Sequence, residues 1–237
     1  MTFYPERTLV VIGSGPGIAV AVASAFAQNG FSHVALLSRD KARLSSDRET
    51  VLQNAERNGK IVQVRTWNVD ITDSQALEDT FKEVQSFGTI ECILFNAARV
   101  GPSSFFEFPE TEIMRDFQTT NIALYNTAKF WLPNLLLSKA SPDSKPTLLV
   151  TNSLLWEDPI PQLFSLSMVK AAQRNLVMSL SKQYADEKTR IGLISVGGPV
   201  DINHPRFNPT SIAERTWEYF AKNSNDWAFE TIILERE

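Results

Sequence analysis

Short apolar runs and longer amphipathic stretches alternate along the chain from residue 8 onward. Residues 8–12 are aliphatic or β-branched throughout and stop at Gly13. A run of that length reads as a strand buried on both faces. Residues 17–27 are small and apolar over a helical length and stop at Asn29-Gly30, a helix-ending signal. The same alternation predicts further strands at 33–37, 61–67, 90–95, 147–150 and 191–196, and a closing strand at 227–234. Helices are predicted over 41–57, 73–87, 110–137, 165–184 and 210–221, with a turn-rich loop at 141–146. Thr72 or Asp73 suits the N-cap of the third helix, and Pro133 interrupts the fourth near its end. Strands and helices in strict alternation predict an α/β fold, a parallel sheet covered on both faces by helices. No linker, repeat or low-complexity tract divides residues 1–237, which read as one domain.

Composition narrows the function classes. Hydrophobic residues make up 43% and charged residues 21% of the chain, and the net charge is −4. Neither a nucleic acid nor an anionic membrane is an expected partner, and no apolar run is long enough to span a bilayer. Cys92 is the single cysteine and lies in the apolar run 90–95. It reads as a buried core thiol, and a reducing, cytoplasmic location is expected. His33 and His204 are far apart, no Cys/His cluster has metal-ligand spacing, and no metal is expected. The first seven residues hold no apolar stretch, so no signal peptide is expected.

The candidate chemistry begins directly after the first strand, at Gly13-Ser14-Gly15-Pro16-Gly17-Ile18-Ala19. Glycines there let the backbone approach a pyrophosphate, and the following helix offers free N–H donors and a positive dipole. Pro16 suits a first turn, where its missing donor costs little. The spacing is G-x-x-x-G-I-A rather than G-x-G-x-x-G, since Ile18 holds the sixth position. In this setting the α/β fold reads as doubly wound and Rossmann-like, with a ligand beyond the carboxyl ends of the strands.

These residues resemble the short-chain dehydrogenase/reductase family, whose glycine motif is T-G-x-x-x-G-x-G. The resemblance runs in order from about residue 8 to residue 202. It implies that Gly13, Ser14, Gly17 and Ile18 form the dinucleotide loop. It aligns Asp70 with the family's adenine-contacting aspartate, and Asn96, within Phe95-Asn96-Ala97-Ala98, with the N-N-A-G motif. Asn121 aligns with the family's mid-helix asparagine, Ser153 with its serine, and Pro199 and Val200 with the turn after the sixth strand. The family's Y-x-x-x-K motif falls on Leu166-Ser167-Met168-Val169-Lys170. The lysine is kept and leucine stands in place of the tyrosine; no tyrosine lies between Tyr125 and Tyr184.

In the mechanism that the resemblance implies, tyrosine gives a proton to a carbonyl as hydride arrives, lysine holds the nicotinamide ribose and serine orients the substrate. A positioned acid is worth roughly 10²–10⁴-fold, and leucine has no proton to give. Three readings stay open. The protein is an NADPH reductase with a replacement acid among Ser153, Lys170, Ser167, Glu157 and Asp158. Or the pocket serves a non-redox isomerisation, dehydration or cyclisation. Or the chain is a non-catalytic, cofactor-binding or partner subunit. Catalytic roles fall on Ser153, Lys170 and Asn121. At the end of the second strand Ser38 stands where members that prefer NAD place an aspartate. Arg39 follows, suited to a 2′-phosphate, so NADP(H) is favoured over NAD(H). The competing reading of Arg39 is a solvated pair with Asp40.

A lid is expected at about residues 199–210, short and stiffened by Pro205 and Pro209, leaving the pocket rather open. Phe105, Phe106, Phe108, Trp156, Pro159 and Pro161 are placed at its mouth as an apolar wall for a small organic substrate, with packing or a dimer contact as the other reading. The resemblance also implies a homo-oligomer through the helices at 110–137 and 165–184.

Overall fold

The computed structural model describes residues 6–137, 144–185, 187 and 189–235. Part of the loop expected at 141–146 therefore lies outside the described residues. Seven parallel strands form one sheet in the order β3-β2-β1-β4-β5-β6-β7. They are β1 (Thr8–Ile12), β2 (His33–Ser38), β3 (Gln63–Asn68), β4 (Ile90–Phe95), β5 (Thr147–Ser153), β6 (Arg190–Val196) and β7 (Glu230–Ile233). The helices are α1 (Ile18–Gln28), α2 (Lys41–Arg57), α3 (Ser74–Gln85), α4 (Glu110–Phe117), α5 (Ala123–Leu137), α6 (Phe164–Gln183) and α7 (Pro209–Ala221). The chain is the expected doubly wound, Rossmann-like α/β domain.

Strands β1, β4 and β6 are buried at every position because both faces of the sheet are covered. Along β1, Leu9 and Val11 join one core with α1, α2 and α7, while Val10 and Ile12 join the other with α3, α5 and α6. The first core carries an aromatic cluster in which Phe26, Phe31, Trp217 and Phe220 meet at centroid distances of 5.0 to 6.4 Å. Cys92 is fully buried there, and burial pushes its thiol well up. No helix among the described residues is long and apolar enough to cross a membrane.

Three elements differ from the sequence reading. The helix expected over 110–137 is broken by a π-turn, Gln118–Ile122, between α4 and α5. Thr119 and Thr127 hydroxyls donate to the carbonyls of Arg115 and Ala123. The fifth strand runs on to Ser153 rather than stopping at 150, paired with β6 as far as Ser153↔Val196. The closing strand is confined to Glu230–Ile233. Asp73 rather than Thr72 caps α3, its side chain accepting from Gln75 and Ala76 N–H.

Candidate functional site

Strand order reverses between β1 and β4, and the glycine loop leaves β1 at that switch point, where open α/β sheets bind ligands. Gly13 and Ser14 N–H donate to the Leu37 carbonyl at 3.0 and 2.9 Å. Gly13 has φ +86°, and a Cβ there would lie 2.6 Å from Ala97 Cα. Only glycine lets the loop leave β1 this close to the end of β4. Asn96 closes the contact, donating from Nδ2 to the Gly13 carbonyl at 3.1 Å. A Cβ at Gly15 or Gly17 would meet nothing within 4 Å. Gly17 opens α1 without a side-chain cap, its own N–H donating to the Gly15 carbonyl at 2.8 Å, and the first turn of α1 follows directly. A pyrophosphate fits this edge.

The adjoining cleft has a volume of about 250 Å³. Of the residues named from the sequence, Gly13, Ser14, Ser38, Arg39, Asp70 and Asn96 line it and Gly17 and Ile18 do not; Arg43, Arg99 and Thr119 also line it. Asp40 caps α2, accepting from Arg43 N–H at 3.0 Å, and its nearest cation is Arg43 at 4.0 Å. The expected competitor, an Arg39–Asp40 pair, does not form: the cap turns Asp40 toward its own helix. Arg39 and Arg43 thus share one wall with Ser38, and no carboxylate ends β2. Asp70 Oδ1 accepts from the N–H and hydroxyl of Thr72 at 3.0 and 2.8 Å, which holds its carboxyl below the usual range. Under the loop, Ser14 donates to Asp47 at 2.6 Å; Asp47 is buried, and burial raises its carboxyl. Arg99 is tied to Glu112 at 2.5 Å and Asp116 at 3.0 Å, and Asp116 accepts from Ser165 at 2.5 Å. The signal for this network was a pair of acids at i, i+4 on α4 and an arginine directly after the asparagine loop.

The residues expected to do chemistry lie beyond Thr119 and do not line the open cleft. Leu166, Lys170 and Asn121 are 6%, 6% and 8% exposed. Leu166 sits in the first turn of α6, one turn before Lys170. Lys170 Nζ donates to the Thr151 carbonyl at 2.8 Å and to Gln173 Oε1 at 3.0 Å, and burial lowers its pKa to about 7. Asn121 Nδ2 donates to the Val169 carbonyl at 3.1 Å, leaving Oδ1 buried without a partner. Ser153 Oγ, at the end of β5, is also buried and unpaired. Of the replacement acids, Ser167 donates to the Leu163 carbonyl of its own helix, and Glu157 and Asp158 are exposed.

Residues 7–203 match the family model described as short chain dehydrogenase. The chain belongs to the short chain dehydrogenase family. Among its relatives is an uncharacterized oxidoreductase of Staphylococcus aureus, 25% identical over 213 residues, 89% of this chain and 85% of the relative. The fold matches an alcohol dehydrogenase from Thermococcus sibiricus complexed with 5-hydroxy-NADP, with TM-score 0.80, 22% identity and 96% of each chain covered. It also matches the NADH-dependent reductase A1-R′ complexed with NAD, with TM-score 0.79, 19% identity, and 97% of this chain and 94% of that one covered.

For this short chain dehydrogenase the segment after β6 is a pinned turn. His204 Nδ1 accepts from the N–H of Arg206 and Phe207 at 3.2 and 2.9 Å, and its ring stacks on Phe207. Phe207 plugs the first core against Gly198, where a Cβ would lie 2.3 Å from its ring. Pro199 and Val200 stay exposed and do not line the cleft, because this plug fixes the turn against the core. The expected aromatic wall divides. Phe105 stacks on Phe164 at 4.4 Å and Phe108 meets the same ring at 6.0 Å. Trp156 instead lies under Arg174, 3.8 Å from its guanidinium, which is paired with Glu230 of β7.

Proposed function

We propose that the protein is an NADP(H)-binding oxidoreductase acting on a small, apolar organic substrate without a tyrosine acid. The observation that carries this reading is the cleft in which Arg39 and Arg43 flank Ser38 beside the open glycine edge. Two guanidinium groups beside Ser38 suit a ribose 2′-phosphate, although Asp40 lies 4.0 Å from Arg43 and Asp70 shares the cleft with Arg39. The cleft volume is below the range of about 300–1,000 Å³ of whole-ligand sites, and it suits the adenosine part of the dinucleotide. The bound nucleotide would exchange a hydride with the substrate. Ser153 then offers its unpaired hydroxyl to a substrate oxygen. Lys170, titrating near 7, exchanges a proton in the range where acid–base catalysis is effective. Asn121 holds the π-turn against α6. The single buried thiol suits a reducing, cytoplasmic setting.

The test is a titration with NADPH and NADH, read by energy transfer from tryptophan to nicotinamide. NADPH is expected to bind in the micromolar range and more tightly than NADH. Arg39→Ala and Arg43→Ala should each weaken NADPH about tenfold or more, the loss of a charge-assisted bond, and leave NADH unchanged. Binding of neither nucleotide overturns the reading. A second reading, a nucleotide-binding subunit without redox turnover, is favoured by Leu166 and by Lys170 being bonded to Thr151 and Gln173. It predicts NADPH binding, no oxidation of NADPH across a panel of ketones, iminium ions and activated alkenes, and a stable complex with another protein. Substrate conversion at constant NADPH absorbance would instead mark a non-redox isomerase, cyclase or dehydratase.

A further inference from the structure

The inward stripe of α6 runs through Leu166, Val169, Lys170, Gln173 and Val177, all buried. This is the spacing of an apolar core stripe, and two of its positions are long polar side chains. A glutamine at such a position gives up the hydration of an amide with two donors and an acceptor. Gln173 is fully buried. Its Oε1 accepts from Lys170 Nζ at 3.0 Å, and its Nε2 points to the Thr120 carbonyl in the π-turn at 3.4 Å. Lys170 Nζ donates its other bond to the Thr151 carbonyl of β5 at 2.8 Å. The carboxamide therefore links the lysine of its own helix to the backbone of the segment that carries Asn121. Around Nζ the partners are neutral on every side: a β5 carbonyl, the α6 amide and, behind that amide, the π-turn. Among the described residues no charged group shifts Lys170, and burial lowers its pKa.

We propose that Gln173 is a positioning residue for Lys170, fixing its ammonium against the Thr151 carbonyl and out of the nucleotide cleft. An amide oxygen favours the protonated amine over the neutral one. With no carboxylate at hand, Gln173 keeps the protonated form within reach in a dry setting. It also restrains the lysine: with one N–H on Thr151 and one on Gln173, a single N–H is left for a ribose hydroxyl, in a direction that these two bonds fix. Only that second consequence rests on reading the cleft as a nucleotide site.

Two measurements on the full chain test the proposal. The first follows Lys170 by ¹⁵N and ¹³Cε NMR against pH in nucleotide-free protein. Gln173→Glu, a shape-conserving change that sets a carboxylate beside Nζ, should raise the Lys170 titration by more than about one pH unit. An unchanged titration in the folded variant overturns the proposal. The second is NADPH affinity. Gln173→Leu, which suits the dry stripe and removes the acceptor, should bind NADPH about tenfold more tightly, as one freed charge-assisted bond allows. Unchanged affinity in a variant that folds, with wild type binding NADPH, also overturns it. If Gln173→Leu does not fold, the Gln173→Glu titration decides. If wild type binds no NADPH but Gln173→Glu shifts Lys170, the positioning role stands and the cofactor reading falls.

Discussion

At the residue scale the centre of the site turns on two side chains. Leu166 lies one turn before Lys170, and Ser153 Oγ is unpaired nearby on β5. Leu166→Tyr should restore a hydroxyl where the family pattern has one. The expected outcome is a gain of about 10²-fold in NADPH-dependent reduction of simple ketones, measured as kcat/KM; no gain with NADPH binding intact would mean that Lys170 is held too far back to serve. Lys170 also sets a pH dependence. Its folded pKa, about 7, lies below the unfolded value of about 10.4. Between these the unfolded chain binds more protons, so the Lys170 contribution to stability rises with pH across that window and is least favourable below 7. The unfolding free energy of wild type minus that of Lys170→Met should therefore climb from pH 7 to pH 10; a constant difference would show a solvated, charged lysine. Much of this was legible in the sequence, since Lys170, Ser153 and Leu166 stand at motif spacing. Which way Lys170 turns was not, because it depends on Gln173, three residues on, which reads as an ordinary helix-former until its burial is known.

At the element scale the periodicities carried nearly every strand and helix, and the errors fall where apolar spacing carries no signal. The π-turn at Gln118–Ile122 has the composition of a helix, and apolar spacing does not record its wider turn. The end of β5 was cut short because Thr151-Asn152-Ser153 is polar, although register with β6 continues through it. The clamp on α7 was equally invisible. That helix ends with no basic residue in its last turn, and its carbonyls are held from elsewhere. Arg190 donates to Phe220 and Lys222 carbonyls at 2.9 Å each, and Lys145 Nζ donates to those of Ala221 and Lys222. Cations at a helix C-terminus oppose its negative dipole end. Arg190→Met should cost about 2–4 kcal/mol, two bonds to a charged donor, seen as a lower urea midpoint at unchanged m-value. A loss below about 1 kcal/mol would mean that Lys145 alone satisfies the helix end.

At the scale of the whole molecule, the helices that shield one face of the sheet carry an outer surface that the fold itself leaves uncovered. Met114 on α4, Ile122 in the π-turn, Tyr125 on α5 and Met168 on α6 are 45 to 59% exposed. The sequence marks these helices as long and apolar but does not say which stripe faces out, because inner and outer residues are similar in type. Exposed apolar groups gathered on neighbouring helices mark an association surface, and a self-complementary patch closes as a two-fold dimer. The homo-oligomer that the family resemblance implies through these helices would pair two copies of the chain at this face. Sedimentation equilibrium should give a dimer for wild type, and Tyr125→Glu and Met168→Glu should each shift it toward monomer with the far-UV spectrum unchanged, since neither side chain belongs to the core. Because Asp116 of α4 pairs with Arg99 at the cleft wall and accepts from Ser165 of α6, dissociation should weaken NADPH binding as well. A wild type that sediments as a monomer would remove the proposal; dimer loss without change in nucleotide affinity would leave the interface but separate it from the cleft.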